Sequence, residues 1–291
     1  MALKQHQPAI TITDQIENLK QLGLIINDEE FARNFLNDVS YFRFEKAYSL
    51  GLKDKNGMYY PNITFDTLVE LYMFNSNFRH LIFEQIEHIE VNFRCRISNY
   101  FSETYGIFGY YDANNFRSSV HHTEFINEIN KEIQRNSKSP FVKNFTDNYD
   151  NGKIPFYALI ELFSFGTLSK FYKNMKNPDK KAVAKIYGEN FRFIESWIEN
   201  IAFVRNVCAH YGRLYNINIT KTPLLSKKYT AKGISSIRIF ATLLCFKHLL
   251  PNDRHWIEFV DNIELLFEKY PHVQKKYMGF PDDWYDLLTS E

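Results

Sequence analysis

The run Arg205-Asn-Val-Cys-Ala-His210-Tyr-Gly-Arg213 brings an imidazole, two guanidiniums and a carboxamide within a few residues of each other. On a helix, spacings of four and seven put Asn206, His210 and Arg213 on one stripe. Trp197, Ile201, Val204, Cys208 and Tyr211 form an apolar stripe on the far side, which a core would cover. Arg205 flanks both stripes, and its long side chain can reach over the polar one. Ala202 and Ala209 are small enough to let a second helix approach closely.

This set suits cleavage of RNA by its own 2′-hydroxyl. Imidazole moves protons at neutral pH, and a guanidinium offers paired donors to the charged phosphorane. Asn206, one turn before His210, can fix the imidazole tautomer or bind phosphate. Arg205, Asn206 and His210 are therefore the candidate catalytic residues. A single histidine is awkward as both base and acid, so a two-fold dimer presenting two copies of the helix is expected to complete the site. The bare Arg-to-His spacing is not specific. It recurs at Arg117 and His122, in a Ser-rich segment read as a loop without the following Asn, and that copy is set aside.

The motif must sit on a helix running from about Asn190 to Gly212. Periodicity is helical nearly everywhere, so the predicted fold class is all-α with at most a small β-hairpin. One long amphipathic helix is expected from Phe65 to about Tyr105, capped by Thr64 and kinked near Asn75 to Asn77. Its apolar positions are Leu68, Leu71, Phe78, Leu81, Ile82, Ile86, Ile89, Phe93, Ile97 and Phe101. Glu84, Glu87, Glu90, Arg94 and Arg96 lie on its other face, where Glu90 and Arg94 can pair at i,i+4. Helix starts are read at Thr13 and Asp14, Asn27 and Asp28, and Ser40. Lys53 to Pro61 reads as a turn or hairpin, and Leu214 to Thr222 as a possible strand pair. Helices are also expected near Ile234 to Leu250, His255 to Lys269 and Asp282 to Leu288. The organisation is an N-terminal cap over 1–62, a core over 63–250 and C-terminal helices over 251–291, packed as one unit.

A chain of 291 residues with 45% hydrophobic and 17% aromatic content can build a substantial core. Cys95, Cys208 and Cys245 lack the spacing of a disulfide framework or a zinc site, which fits a reducing cytoplasm and no bound metal or cofactor. The first eight residues carry no apolar leader, and the most apolar stretch, Ile234 to Leu250, is interrupted by Arg238 and Lys247. No membrane partner is expected.

The net charge of +1 conceals an uneven distribution. No Asp or Glu occurs between Asn200 and Asn252, while Arg205, Arg213, Lys221, Lys227, Lys228, Lys232, Arg238 and Lys247 do. The rest of the chain holds 27 basic against 34 acidic residues. Because this stretch contains the candidate site, Arg213, Lys221, Lys227, Lys228, Lys232 and Arg238 are read as an RNA-binding surface. A second basic run, Lys170, Lys173, Lys176, Lys180, Lys181 and Lys185, with Asp179 its one acid, is as compatible with solvated lysines as with a binding face.

The segment from Arg205 to Asn216 resembles the signature of Abi-like proteins (abortive infection, AbiD/AbiF type) of the HEPN superfamily. So do Val39-Ser-Tyr-Phe-Arg43, Glu87-His-Ile-Glu90 with Arg94, Tyr105-Gly106, and Glu161-Leu-Phe-Ser-Phe-Gly-Thr-Leu-Ser169, in the expected order from about Leu22 to Asn216. Phe156-Tyr157 stands where many relatives carry a Trp, and the last seventy residues are poorly diagnostic. The resemblance implies a HEPN-type helical bundle with added N- and C-terminal helices, acting as a dimeric, metal-independent endoribonuclease. Within it, Arg205 and His210 carry the catalytic motif with Asn206 as polar companion, and Glu90, Arg94 and Tyr211 support them. It further implies phage defence by RNA damage, restrained in some systems by a structured small RNA. Two alternatives stay open: a non-catalytic structured-RNA-binding protein, and a scaffold whose Ala202 and Ala209 face only mediates dimerisation.

Overall fold

A computed structural model describes residues 9–251 and 253–290. The opening eight residues, read above as lacking a leader, lie outside the described residues. Every regular element among the described residues is helical, and β pairing is confined to three isolated bridges. The all-α expectation holds: Lys53 to Pro61 forms the expected turn, and the possible strand pair over Leu214 to Thr222 does not form. Around Lys53 a single bridge to Tyr59 remains, because Asp54 Oδ1 accepts the amides of Asn56 and Met58 and closes a tight turn. After the motif, side chains take the place of a ladder. Asn75 Oδ1 accepts the amides of Leu214 and Tyr215 at 2.7 and 3.1 Å, and Asn200 Nδ2 donates to the Lys221 carbonyl at 2.6 Å.

The spine is the helix Phe65–Tyr105, 41 residues and about 60 Å long. Thr64 caps its first turn by accepting the Thr67 amide, and Gly106, at φ 77°, ends it. It continues unbroken through Asn75 to Asn77, where a kink was expected. Asn75 is fully buried and spends its carboxamide on the segment after the motif rather than on its own helix. All the predicted apolar positions of the spine are buried except Leu81, which is half-buried.

Around the spine the remaining helices close one continuous core from Ile16 to Leu288. Ile12–Gln21, Glu29–Asp38 and Tyr41–Tyr48 lie over its beginning, where Phe35, Phe44, Phe65 and Tyr72 pack ring against ring. Thr11, two residues before the expected start, closes a reciprocal capping box with Asp14. The helices Ile239–Leu249, Arg254–Lys269 and Trp284–Thr289 return the last segment to the spine, where Phe267 stacks on Phe74 at 5.7 Å and Phe280 meets Phe78 at 6.4 Å. The motif helix, Phe191–Ala209, packs between the spine and the helix Phe165–Asn174. Ile194, Trp197, Ile198, Ile201, Val204 and Cys208 form its buried side.

Asn75→Ala removes one acceptor from two buried amides. Leaving them unpaired is expected to destabilise the protein by about 2–4 kcal/mol, read as a lower urea midpoint at an unchanged slope.

Candidate active site

Asn190 opens the motif helix by accepting the Arg192 amide, and the helix ends at Ala209, one turn short of the predicted Gly212. The end is set by a double wrap. Tyr211 takes the left-handed conformation at φ 56°, its amide bonds to the Cys208 carbonyl at 3.1 Å, and the Gly212 amide bonds to the Val207 carbonyl at 2.7 Å. A tyrosine in that conformation is strained by roughly 1–2 kcal/mol. Gly212 cannot be enlarged, since a Cβ there would lie 2.7 Å from Val207 Cγ1 and 2.8 Å from its carbonyl oxygen.

The strained turn is held by the spine. Arg79, buried, donates to the carbonyls of Tyr211 and Gly212 at 3.2 and 3.3 Å, and its guanidinium lies 5.8 Å from the Tyr211 ring. Asn75 takes the amides of Leu214 and Tyr215. The sequence marks Asn75 only as the edge of an expected kink and does not mark Arg79, although both stand on the core side of the spine's apolar repeat, where a polar side chain needs a partner.

Asn206 and His210 are exposed and one turn apart, joined by the bond from the His210 amide to the Asn206 carbonyl at 3.0 Å. Neither side chain makes a hydrogen bond among the described residues. Arg205, half-buried, lies 5.8 Å over the Phe83 ring, with its Nε 3.9 Å from Glu90 Oε2. Glu90 also binds Arg94 at 2.7 Å, and Arg94 is anchored on the carbonyls of Ile160 and Phe163. Glu90 thus connects Arg205 to a fixed guanidinium, along a cleft of about 260 Å³ lined by Phe83, Ile86, Glu87, Glu90, Val91, Arg94 and Arg205. Tyr211, expected on the core stripe, is instead 66% exposed, because the helix has already ended before it.

Arg213 does not continue the polar stripe. Beyond the helix end it turns back, donates to the Ala47 carbonyl and sits beside Tyr48, and burial lowers its pKa below the ordinary arginine range. Arg238 is likewise engaged, on the carbonyls of Ile217 and Tyr277 at 3.0 and 3.1 Å. Lys221 pairs with Glu199 at 3.0 Å and Lys232 with Asp283 at 2.5 Å, while Lys227 and Lys228 stand exposed. The stretch that lacks acids in sequence therefore has them in space. The other Arg-to-His pair falls apart: His122 lies within the helix Ser119–Arg135 rather than a loop, buried, with Nε2 2.9 Å from the Tyr110 carbonyl.

An all-helical chain with a polar motif at the end of a core helix defines a broad class. Its family is narrower: the model of the Abi-like protein family matches residues 34–216, well over half of the chain, and the chain belongs to that family. Membership suggests a part in abortive infection, a defence against phage. The match takes in the spine and the motif helix and stops at Asn216. No curated protein and no solved structure matches the chain. Among the described residues no helix is long and apolar enough to cross a membrane.

Burial pushes the Cys208 thiol, inside the motif, up to about 12 and raises that of Cys245, whereas Cys95 is exposed. A thiol reagent at pH 8 is expected to modify Cys95 alone in the folded protein and all three after denaturation, counted by absorbance. Arg79→Ala is expected to destabilise the fold by about 1–3 kcal/mol and to speed amide exchange at Tyr211 and Gly212, measured by mass spectrometry.

Proposed function

We propose that this protein is a metal-independent endoribonuclease of the HEPN type, acting in abortive infection, that cleaves RNA through attack of the 2′-hydroxyl. The observation that carries the reading is the exposure of Asn206 and His210 one turn apart, with Arg205 adjoining them. In this reading Arg205 and Asn206 stabilise the phosphorane, and His210 transfers a proton at the 2′- or 5′-oxygen. The other transfer falls to His210 of the partner subunit, in a homodimer built across this face. The exposed Val91 and Tyr211 and the small Ala209 beside the motif support such a contact.

RNA would be held along Lys221, Lys227, Lys228 and Lys232. The ion pairs of Lys221 and Lys232 are exposed, so water screens them and a phosphate can displace them. Arg213 and Arg238, engaged on carbonyls, add positive field more than contact. A second reading has one observation in its favour. A single chain brings only one imidazole in its motif to the site, so a protein that does not pair would hold structured RNA, such as a small regulatory RNA, without cutting it.

End-labelled RNA incubated in EDTA separates the two. The parent is expected to leave 2′,3′-cyclic phosphate ends, and Arg205→Ala and His210→Ala to slow cleavage by about 100-fold or more. Equal cutting by His210→Ala, or cutting only after metal is added, would sink the enzymatic reading. Tight, salt-sensitive binding without cutting by any variant would favour the second.

A further inference from the structure

At the other end of the motif helix, away from His210, two concavities adjoin. One is a groove of about 390 Å³ lined by Arg117, Asn177, Phe191, Arg192, Glu195 and Glu199 among others. The second is a slot of about 350 Å³ floored by Phe116, Phe125 and Phe171, with Glu124, Lys170 and Lys173 as exposed side chains on its walls. They meet at Phe116 and Arg117, consecutive in the chain. They also meet at Lys173, which lines the slot while its Nζ binds Glu199 of the groove at 3.0 Å.

The groove is lined by two arginines and two glutamates, and lysines beside it pair with the glutamates. Its two carboxylates are already taken: Glu195 by the buried Lys180 at 2.6 Å, and Glu199 by Lys173 and Lys221, each at 3.0 Å. Arg117 and Arg192 are exposed and have no acidic partner among the described residues. Burial pulls the pKa of Lys180 below the ordinary lysine range against the pull of Glu195, and the charges of Arg117 and Lys173 push the same way. An anion beside the two arginines would relieve this convergence of like charges, and guanidiniums suit phosphate. The slot has a different chemistry. Three aromatic rings make an apolar floor, with Phe171 edge-on to Phe116 and Phe125 at 86° and 64°, and Glu124, without a partner among the described residues, offers an acceptor for ring N–H groups. Its volume lies in the range of small-molecule sites, about 300–1,000 Å³.

An aromatic ring with N–H donors, linked to a phosphate, is a nucleotide. We propose that the paired concavities bind one, its base in the Phe116, Phe125 and Phe171 slot and its phosphate on Arg117 and Arg192. It is either a free nucleotide or one unit of an RNA strand. The assignment goes beyond the endoribonuclease reading and does not depend on it, because none of these residues belongs to the motif. The Lys170 to Lys185 run thereby acquires a part: Lys170 and Lys173 line the slot, and the buried Lys180 sets the charge of the groove.

Titration calorimetry on the full chain tests this with inorganic phosphate, the four nucleoside 5′-monophosphates and a ten-nucleotide single-stranded RNA. At least one nucleotide or the RNA is expected to bind ten-fold or more tighter than phosphate. Arg117→Ala with Arg192→Ala is expected to weaken that binding at least ten-fold with the melting temperature unchanged, since both side chains are exposed. Lys46→Ala with Lys55→Ala, which removes two exposed cations elsewhere, is expected to leave it within two-fold. Tight monophosphate binding identifies a free nucleotide, and tight RNA binding alone identifies a strand. Either, together with the loss in the arginine variant, supports the site. No binding, phosphate binding as tightly as every nucleotide probe, or equal losses from both double variants would overturn it.

Discussion

The motif depends on one attachment: Asn75 and Arg79, a helical turn apart on the spine, bind the amides and carbonyls that follow His210. Helix ends leave carbonyls unpaired, and a buried end without partners is unstable. Here the double wrap at Tyr211 and Gly212 satisfies the last carbonyls of the helix, and Arg79 and Asn75 satisfy the groups of the wrap itself. The exposed pair Asn206 and His210 can stay free of internal partners because neighbours in the chain carry the structural bonds.

A division of labour runs through the arginines near the motif. Arg79, Arg94, Arg213 and Arg238 all donate to backbone carbonyls, which suits a planar five-donor group closing irregular backbone. Arg205 differs. It rests on an aromatic face beside a carboxylate at 3.9 Å and is the one of these five without a carbonyl partner. Type alone does not separate the arginine that is available for a ligand from the four that hold the fold together.

Much of this architecture was legible in the chain. The 3.6-residue repeat from Phe65 to Phe101 marked the spine, and the stripe from Trp197 to Cys208 marked the buried side of the motif helix, because periodic burial leaves a periodic pattern. The end of the motif helix was not legible. Its place depends on Arg79, more than a hundred residues earlier in the chain, so a helix continued by pattern ran on to Gly212 and put Arg213 and Tyr211 on the wrong faces. The count of charges along the chain likewise does not give the charges in space. Glu199 and Asp283 lie next to or beyond the acid-free stretch in sequence, yet fold onto Lys221 and Lys232. Adjacency along a chain says little about electrostatic neighbours.

The backing of the spine brings in the order of synthesis. Phe74 and Phe78, adjacent to Asn75 and Arg79, pack against Phe267 and Phe280, which leave the ribosome well after His210. On a nascent chain the motif is therefore complete before its seat is. The same contacts that close the core make the motif's geometry a late product of folding, so an interrupted chain carries the residues of the site without the support that shapes it.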